Sequence, residues 1–462
     1  MSTVAILLSL GLLMFLAYRG WSVIFVAPLL ALMAVLLSGD AHLLLPTYTQ
    51  VFMKAVGGYV ITYFPLFLLG AVFGKLMDDS GAARSIAHGI VNKVGKNQAV
   101  LAIVLACAVL TYGGVSLFVV AFAVYPIGAA LFREVNIPKR FVAGSIALGA
   151  FTFTMTALPG TPAIQNAIPM PFFKTDAFAA PILSTIAGII ILVLGMLWLN
   201  ARVRKAMAAG EGYGIHKDDP VVDENTSYNL PSFFISIAPI FIVIILNYVF
   251  SKIVFPSMDL SYLSDAKYGA VANPASVIGI WAIIAALVVA ILFMIGAFWQ
   301  RWVSLMKTLN EGSYGSLLPI LNTATEVGYG NVIASLAGFV IIRDLILNVS
   351  ANPLISEAIA VNILAGITGS ASGGMSIALG AMGDIFYQQA IAMKINPEVL
   401  HRVVAMACGG LDTLPHNGAV VTLLGITQLT HRQSYADIGM VSVIIPIAVT
   451  VVGIVLGTMG VV

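Results

Sequence analysis

Residues 409–421 read GGLDTLPHNGAVV and interrupt an apolar run in a chain that otherwise avoids charge. A carboxyl at Asp412 in that setting can carry a proton or ligand a cation. The alternative is that Asp412 caps the helix restarting after the break, since Asp is a good N-cap. His416 offers substrate contact or proton exchange, or is simply a satisfied polar residue. Thr413 and Asn417 add a hydroxyl and an amide that suit a substrate hydroxyl or carboxylate. Three further interruptions carry similar chemistry: TYGGVS at 111–116, ALPGTPAIQN at 157–166 and GSASGGMS at 369–376. They supply hydroxyls at Thr111, Ser116, Thr161, Ser370, Ser372 and Ser376, and amides at Gln165 and Asn166. Gly113, Gly114 and Gly373 let a ligand approach the backbone closely. Where a helix restarts, its free N–H groups and dipole favour an anion, and where one stops, its carbonyls favour a cation. No Lys or Arg stands in any of the four. A carboxylate would therefore be held by N–H groups and hydroxyls, which favours one weakly charged acid over a citrate-like polyanion. Glu326, in NTATEVGYG at 322–330, is a second acid within a span, open to proton coupling or to a structural hydrogen bond.

The surrounding sequence says what must hold these groups. Of 462 residues, 60% are hydrophobic and 9% charged, against about 25% charged in soluble domains. The chain reads as an all-α polytopic membrane protein. At about 20 apolar residues per crossing, spans fall near 3–18, 21–38, 56–77, 178–200, 232–250, 270–298, 316–340 and 438–460. Residues 98–132 and 357–393 are apolar but broken mid-way, with arms too short to cross comfortably, and read as re-entrant hairpins. Residues 140–170 and 399–428 are long enough to span but interrupted, and read as broken helices. A bilayer cannot satisfy free backbone groups, so such breaks must line protein or a wet cavity.

The two halves match. Gly113-Gly114-Val115-Ser116-Leu117 is echoed by Gly373-Gly374-Met375-Ser376-Ile377, and an Asn/Pro corner follows each, at Asn136 and Asn396. Leu158-Pro159 marks one break and Leu414-Pro415 the other. This order defines two repeats, 1–200 and 232–462, joined by a charged cytoplasmic linker at 201–231 that includes Arg202, Lys217, Asp218, Asp219 and Glu224. The base of the first hairpin carries Lys93, Lys96, Arg133, Lys139 and Arg140, and the second carries Lys394 and Arg402. That asymmetry predicts inverted repeats, with the first hairpin opening from the cytoplasm and both termini outside. The N-terminus lacks a basic n-region and reads as a retained first span. Residues 81–96 read as an amphipathic interfacial helix, and Arg343-Asp344 as an interfacial pair. Cys107 and Cys408 fall in apolar segments with no metal or disulfide spacing. No cofactor, no metal site and no nucleic-acid partner is expected. No HExxH, P-loop or nucleophile elbow is present, so the chain is not read as an enzyme.

At these residues the chain resembles the gluconate permease (GntP) family of carboxylate symporters, within the ion transporter superfamily. The resemblance covers most of the chain and is carried by LLGAVFGKLMDDSGAARSIAHGIVNKVGK (68–96), TMTALPGTPAIQNAI (154–168) and GITGSASGGMSIALGAMG (366–383). It implies proton-coupled uptake of a hydroxylated monocarboxylate at a bacterial inner membrane, by a homodimer working as an elevator. It places the site at Thr111 to Ser116, Thr161 to Asn166, Ser370 to Ser376 and Asp412 to Asn417. Sugar-acid members tend to have an acid beside the last proline, whereas here Leu414 precedes Pro415 and the acid is displaced to Asp412. With Leu158, Leu414, Met155 and Pro162 nearby, a smaller and less polar acid such as 3-hydroxybutyrate is expected over gluconate. The expected function is a proton-driven symporter of such an acid, with Asp412 and Glu326 as ion-coupling residues. The rivals are a sodium-coupled di- or tricarboxylate transporter, because Gly/Ser/Thr tips could bind Na⁺, and a channel.

Overall fold

The computed structural model describes residues 2–216, 230–268 and 273–462. Linker residues Lys217, Asp218, Asp219 and Glu224 lie outside the described residues. Within them, every regular element is helical. Two helices, α1 (Ser2–Tyr18) and α2 (Val23–Leu37), lead into α3 (Met53–Asp79). A turn bent by 105° then joins α4 (Ala82–Val94) to the first hairpin, α5 (Ala99–Tyr112) and α6 (Leu117–Glu134). Next come α7 (Phe141–Ala150), a break spanned by short helical turns, and α8 (Pro181–Ala208).

The second half repeats this order. Helices α9 (Phe233–Val249) and α10 (Ala275–Ala297) precede α11 (Leu305–Ser335), and a 97° bend leads to α12 (Phe339–Leu347). The second hairpin is α13 (Pro353–Thr368) and α14 (Ala371–Ala392). Helix α15 (Pro397–Cys408), a break and α16 (Gly418–Thr427) follow, then α17 (His431–Thr458). The packing also has matched partners: α2 lies on α11 as α10 lies on α3, and α1 lies on α12 as α9 lies on α4.

Helices α3 and α11 form the most extensive contact in the chain. Lipid tails are as apolar as Leu, so close backbone approach between small residues drives such contacts. A Cβ at Gly312 would meet Val72 Cα at 2.8 Å, and one at Gly328 would meet Val56 Cγ2 at 2.8 Å. Each hairpin instead packs on its own broken helix, α5 on α7 and α13 on α15.

The sequence expectations need four corrections. Helix α8 runs to Ala208, so residues 201–208 of the expected linker are helical. The arms of the hairpins are unequal: α14 has 22 residues, about 33 Å at 1.5 Å per residue, and is not too short to cross. It is long because Ser370 caps it by accepting from Gly373 N, which draws Gly373-Gly374 into its first turn. Gly113-Gly114, by contrast, sits in the turn itself, with Gly114 at φ +91°, so the echoed glycines occupy different places. Lys139 and Arg402 are 3% and 0% exposed. They are not interfacial charges, and the count at the hairpin bases becomes four against one in the same direction.

Candidate functional site

The two hairpin tips and the two breaks surround one chamber with two lobes. The larger lobe is about 450 Å³ and the smaller about 290 Å³, and they share Phe67, Leu117, Met155, Gln165 and Pro319 as common wall. The second tip and second break supply the largest share of the larger lobe, with Pro319, Asn322, Thr323 and Glu326 of α11 and residues of the first half, among them Phe67, Phe151 and Gln165, making up the remainder. The first tip and first break build the smaller lobe against Leu66, Gly70, Ala71 and Ser316.

Local chemistry ties each tip to its own break. In the first half, Tyr112 Oη donates to Pro159 O at 2.5 Å, and a Cβ at Gly114 would strike Pro162 Cγ at 2.7 Å. In the second, Asn417 Nδ2 donates to Gly369 O at 2.7 Å while its Oδ1 accepts from Ala419 N and Val420 N. Gly369 ends α13 at φ +64°, a left-handed cap that glycine adopts without strain. Asn417 is thus both the cap of α16 and the clasp between tip and break. This corrects one reading of Asp412: Asp412 does not cap the restarted helix.

Four helical starts reach the chamber wall, at Leu117, Ile164, Ala371 and Gly418. The starts of α6, α14 and α16 carry the positive ends of helix dipoles, and Ser370 and Asn417 already satisfy Gly373 N in α14 and Ala419 N and Val420 N in α16, while the start at Ile164 opens only a four-residue turn. Two carboxyls line the larger lobe. Asp412 is buried with Oδ1 unpartnered, and Glu326 is buried with Oε2 unpartnered. The Glu326 carboxyl occupies the space where any residue other than glycine at 373 would place its Cβ. Thr323 Oγ1 bonds to Ser372 Oγ at 3.3 Å, so α11 meets the second tip through two polar side chains. His416 packs its ring over Gly369 and lines the same lobe. Its larger lobe contains no Lys or Arg among its lining residues.

Of the residues singled out by sequence, Gln165, Glu326, Ser370, Ser372, Asp412, Thr413, His416 and Asn417 come together in the larger lobe. Thr111, Gly114 and Ser116 line the smaller one. The others stand behind the wall. Gly113 abuts Ile240, Gly373 lies under Glu326, and Ser376 is buried with an unpartnered Oγ. Thr161 is buried, accepting Ala163 N on its hydroxyl and Asn166 Nδ2 on its carbonyl. Asn166 is spent on structure, bonding Thr161 O, Ala177 O and His401 Nε2. Met155 and Pro162 line the chamber, while Leu158 packs on Gly188 of α8 and Leu414 is not part of the lining.

Sequence reading missed Asn322 and Thr323, whose signal was present: with Pro319 and Glu326 they follow helical spacing along one face of α11. It also missed Arg402. This side chain is fully buried and donates to Ala179 O and to Thr156 O, the latter at 3.3 Å. Thr156 lines the larger lobe, so a guanidinium stands one peptide behind the wall. Only the packing of α15 against the first break reveals it. Among the described residues no three His, Cys, Asp or Glu side chains converge as a metal site.

Among the described residues, a helical bundle with at least five apolar helices long enough to cross a bilayer, built around a chamber that holds buried acids, defines a multi-pass membrane protein. Residues 1–459 match the GntP family permease, and the chain belongs to that family. It is 49% identical over 456 residues to the uncharacterized transporter YxjC of Bacillus subtilis (strain 168), covering 96% of each chain. A shorter match, 36% identity over 109 residues and 23% of each chain, is to a gluconate permease of the same organism. The fold is similar to the crystal structure of the YdaH transporter of Alcanivorax borkumensis, at TM-score 0.56 and 13% identity over 89% of this chain and 88% of that one.

Proposed function

We propose that this permease is a secondary active symporter that imports a small hydroxy-monocarboxylate with protons. The observation that carries the reading is the chamber itself. The helical starts of α6, α14 and α16 suit one carboxylate, and two buried acids, Asp412 and Glu326, each with one oxygen lacking a partner, suit a proton that travels with it. The smaller lobe is mainly apolar, walled by Leu66, Phe67, Ala71, Val115, Pro162 and Ile164, with Thr111, Ser116, Gln165 and Ser316 as its polar side chains. That supports a 3-hydroxybutyrate-like acid over gluconate. The matched order of elements supports inverted repeats over 1–200 and 232–462, with hairpins and broken helices moving together as an elevator past α3 and α11. By family resemblance the protein acts as a homodimer in a bacterial inner membrane, and the charge asymmetry of the hairpin bases supports both termini outside.

Counterflow in proteoliposomes with labelled 3-hydroxybutyrate and labelled gluconate tests the substrate. Exchange of 3-hydroxybutyrate is expected, and selective exchange of gluconate would sink the preference. A pH jump without sodium should drive accumulation. Uptake that responds only to sodium would assign the coupling ion to Na⁺ instead, and non-saturable flux would point to a channel.

A further inference from the structure

Away from the chamber, the ends of α3 and α11 enclose a separate cavity of about 310 Å³. Four cations reach it from four elements: Lys75 of α3, Arg84 of α4, Arg301 of the turn before α11, and Lys307 of the first turn of α11. Two carboxylates share the lining, and both are engaged. Lys75 Nζ lies 3.0 Å from Asp79 Oδ1 and 2.9 Å from Glu311 Oε2. Thr308 Oγ1 donates to Asp79 Oδ2 at 2.7 Å, and Lys307 Nζ stands 3.7 Å from Glu311 Oε1. Asp78 interacts electrostatically with Arg84 from outside the lining. Among the described residues, the four cations outnumber the three carboxylates Asp78, Asp79 and Glu311 by one.

The position of the cavity selects the kind of anion. Helix α3 ends at Asp79 and α11 begins at Leu305, so the cavity lies where spans end and headgroups begin. Trp299, Val303 and Met306 stand beside it, 74%, 104% and 73% exposed. A tryptophan at this level is the usual mark of the membrane interface. A soluble anion would use the cations and leave these apolar side chains in water. A lipid uses both, with its phosphate among the cations and its acyl chains along Val303 and Met306. Basic pockets between spans hold lipid phosphates in this way.

We propose that this cavity binds the phosphate headgroup of an anionic phospholipid, a function separate from transport through the chamber. The test measures thermal unfolding of the whole purified protein in detergent with added phosphatidylglycerol, phosphatidylcholine or inorganic phosphate. Wild type is compared with the double variant Arg84→Gln/Lys307→Gln, whose two side chains are exposed. Phosphatidylglycerol should raise the midpoint of wild type by about 2–4 °C, with phosphatidylcholine and inorganic phosphate having little effect. The double variant should lose that rise while keeping its own midpoint and its counterflow activity. An equal rise in the double variant, or no difference between the two lipids in wild type, overturns the site. A rise with inorganic phosphate as large as with lipid overturns the lipid assignment in favour of a soluble anion.

Discussion

At the scale of single residues, the contact between Glu326 and Gly373 is the tightest constraint on the chamber. Gly373→Ala places a methyl group in the space of the Glu326 carboxyl. Overpacking of this kind costs about 1–3 kcal/mol, and here the second tip must shift or Glu326 must turn away. Counterflow should fall by about tenfold or more, matching that cost at 1.4 kcal/mol per decade, with the protein still folded by thermal unfolding. Asp412→Asn keeps the shape and removes the proton site. It should retain exchange at equal pH on both sides and lose accumulation driven by a pH gradient. Retained accumulation would assign coupling elsewhere, with Glu326 next in line. Arg402 gives a third expectation. Arg402→Gln leaves two carbonyls short of donors, at about 1–3 kcal/mol for each buried group left unpaired, and removes the positive field behind Thr156. Arg402→Lys restores the charge alone. Anion uptake should recover in the lysine variant even where stability does not, and equal loss in both would make Arg402 a purely structural strut.

At the scale of elements, the clasps between tips and breaks decide which pieces move as units. Asn417→Ala removes a cap worth about 1 kcal/mol together with the bond to Gly369 O. Hydrogen exchange should quicken together in residues 366–372 and 411–420 and leave the first hairpin unchanged. Exchange confined to the start of α16 would show that Asn417 caps without clasping. The segment after α8 is anchored in a comparable way: Tyr213 N donates to Asn136 Oδ1 and Glu211 pairs with Arg140. Arg140 holds the Glu211 carboxyl below its ordinary range. That contact is therefore present at neutral pH and is lost as pH falls through the lowered value.

At the scale of the whole molecule, the elevator reading requires the second tip to slide past α11. Thr323 Oγ1 and Ser372 Oγ are 3.3 Å apart across that boundary, close enough for a disulfide between cysteines placed there. Cys107 and Cys408 are buried and need not be replaced. Oxidised Thr323→Cys/Ser372→Cys should stop transport, and reduction should restore it. Full transport by the cross-linked protein would exclude relative motion of these two elements.

Much of this architecture is legible in the sequence, because a bilayer permits few solutions. Apolar length sets the spans, and Gly, Pro and polar residues inside an apolar run mark the breaks. The repeated GG, Asn/Pro and Leu-Pro signals put the tips and breaks in matched order, and eight of the residues chosen on type alone meet in one lobe. The rest depends on contacts between segments far apart in the chain. Whether an amide faces a cavity or ties a loop is set by its neighbours, so Asn166 and Asn417 look alike in sequence and end in different roles. Whether a charge faces lipid headgroups or a break is also a matter of packing. Arg402 reads as an interfacial cation and stands instead behind the chamber wall, because α15 presses it onto the carbonyls that the first break leaves open. The sequence determined where the membrane helices had to break. Tertiary packing decided what each broken end faces, since only packing brings the partner that satisfies it.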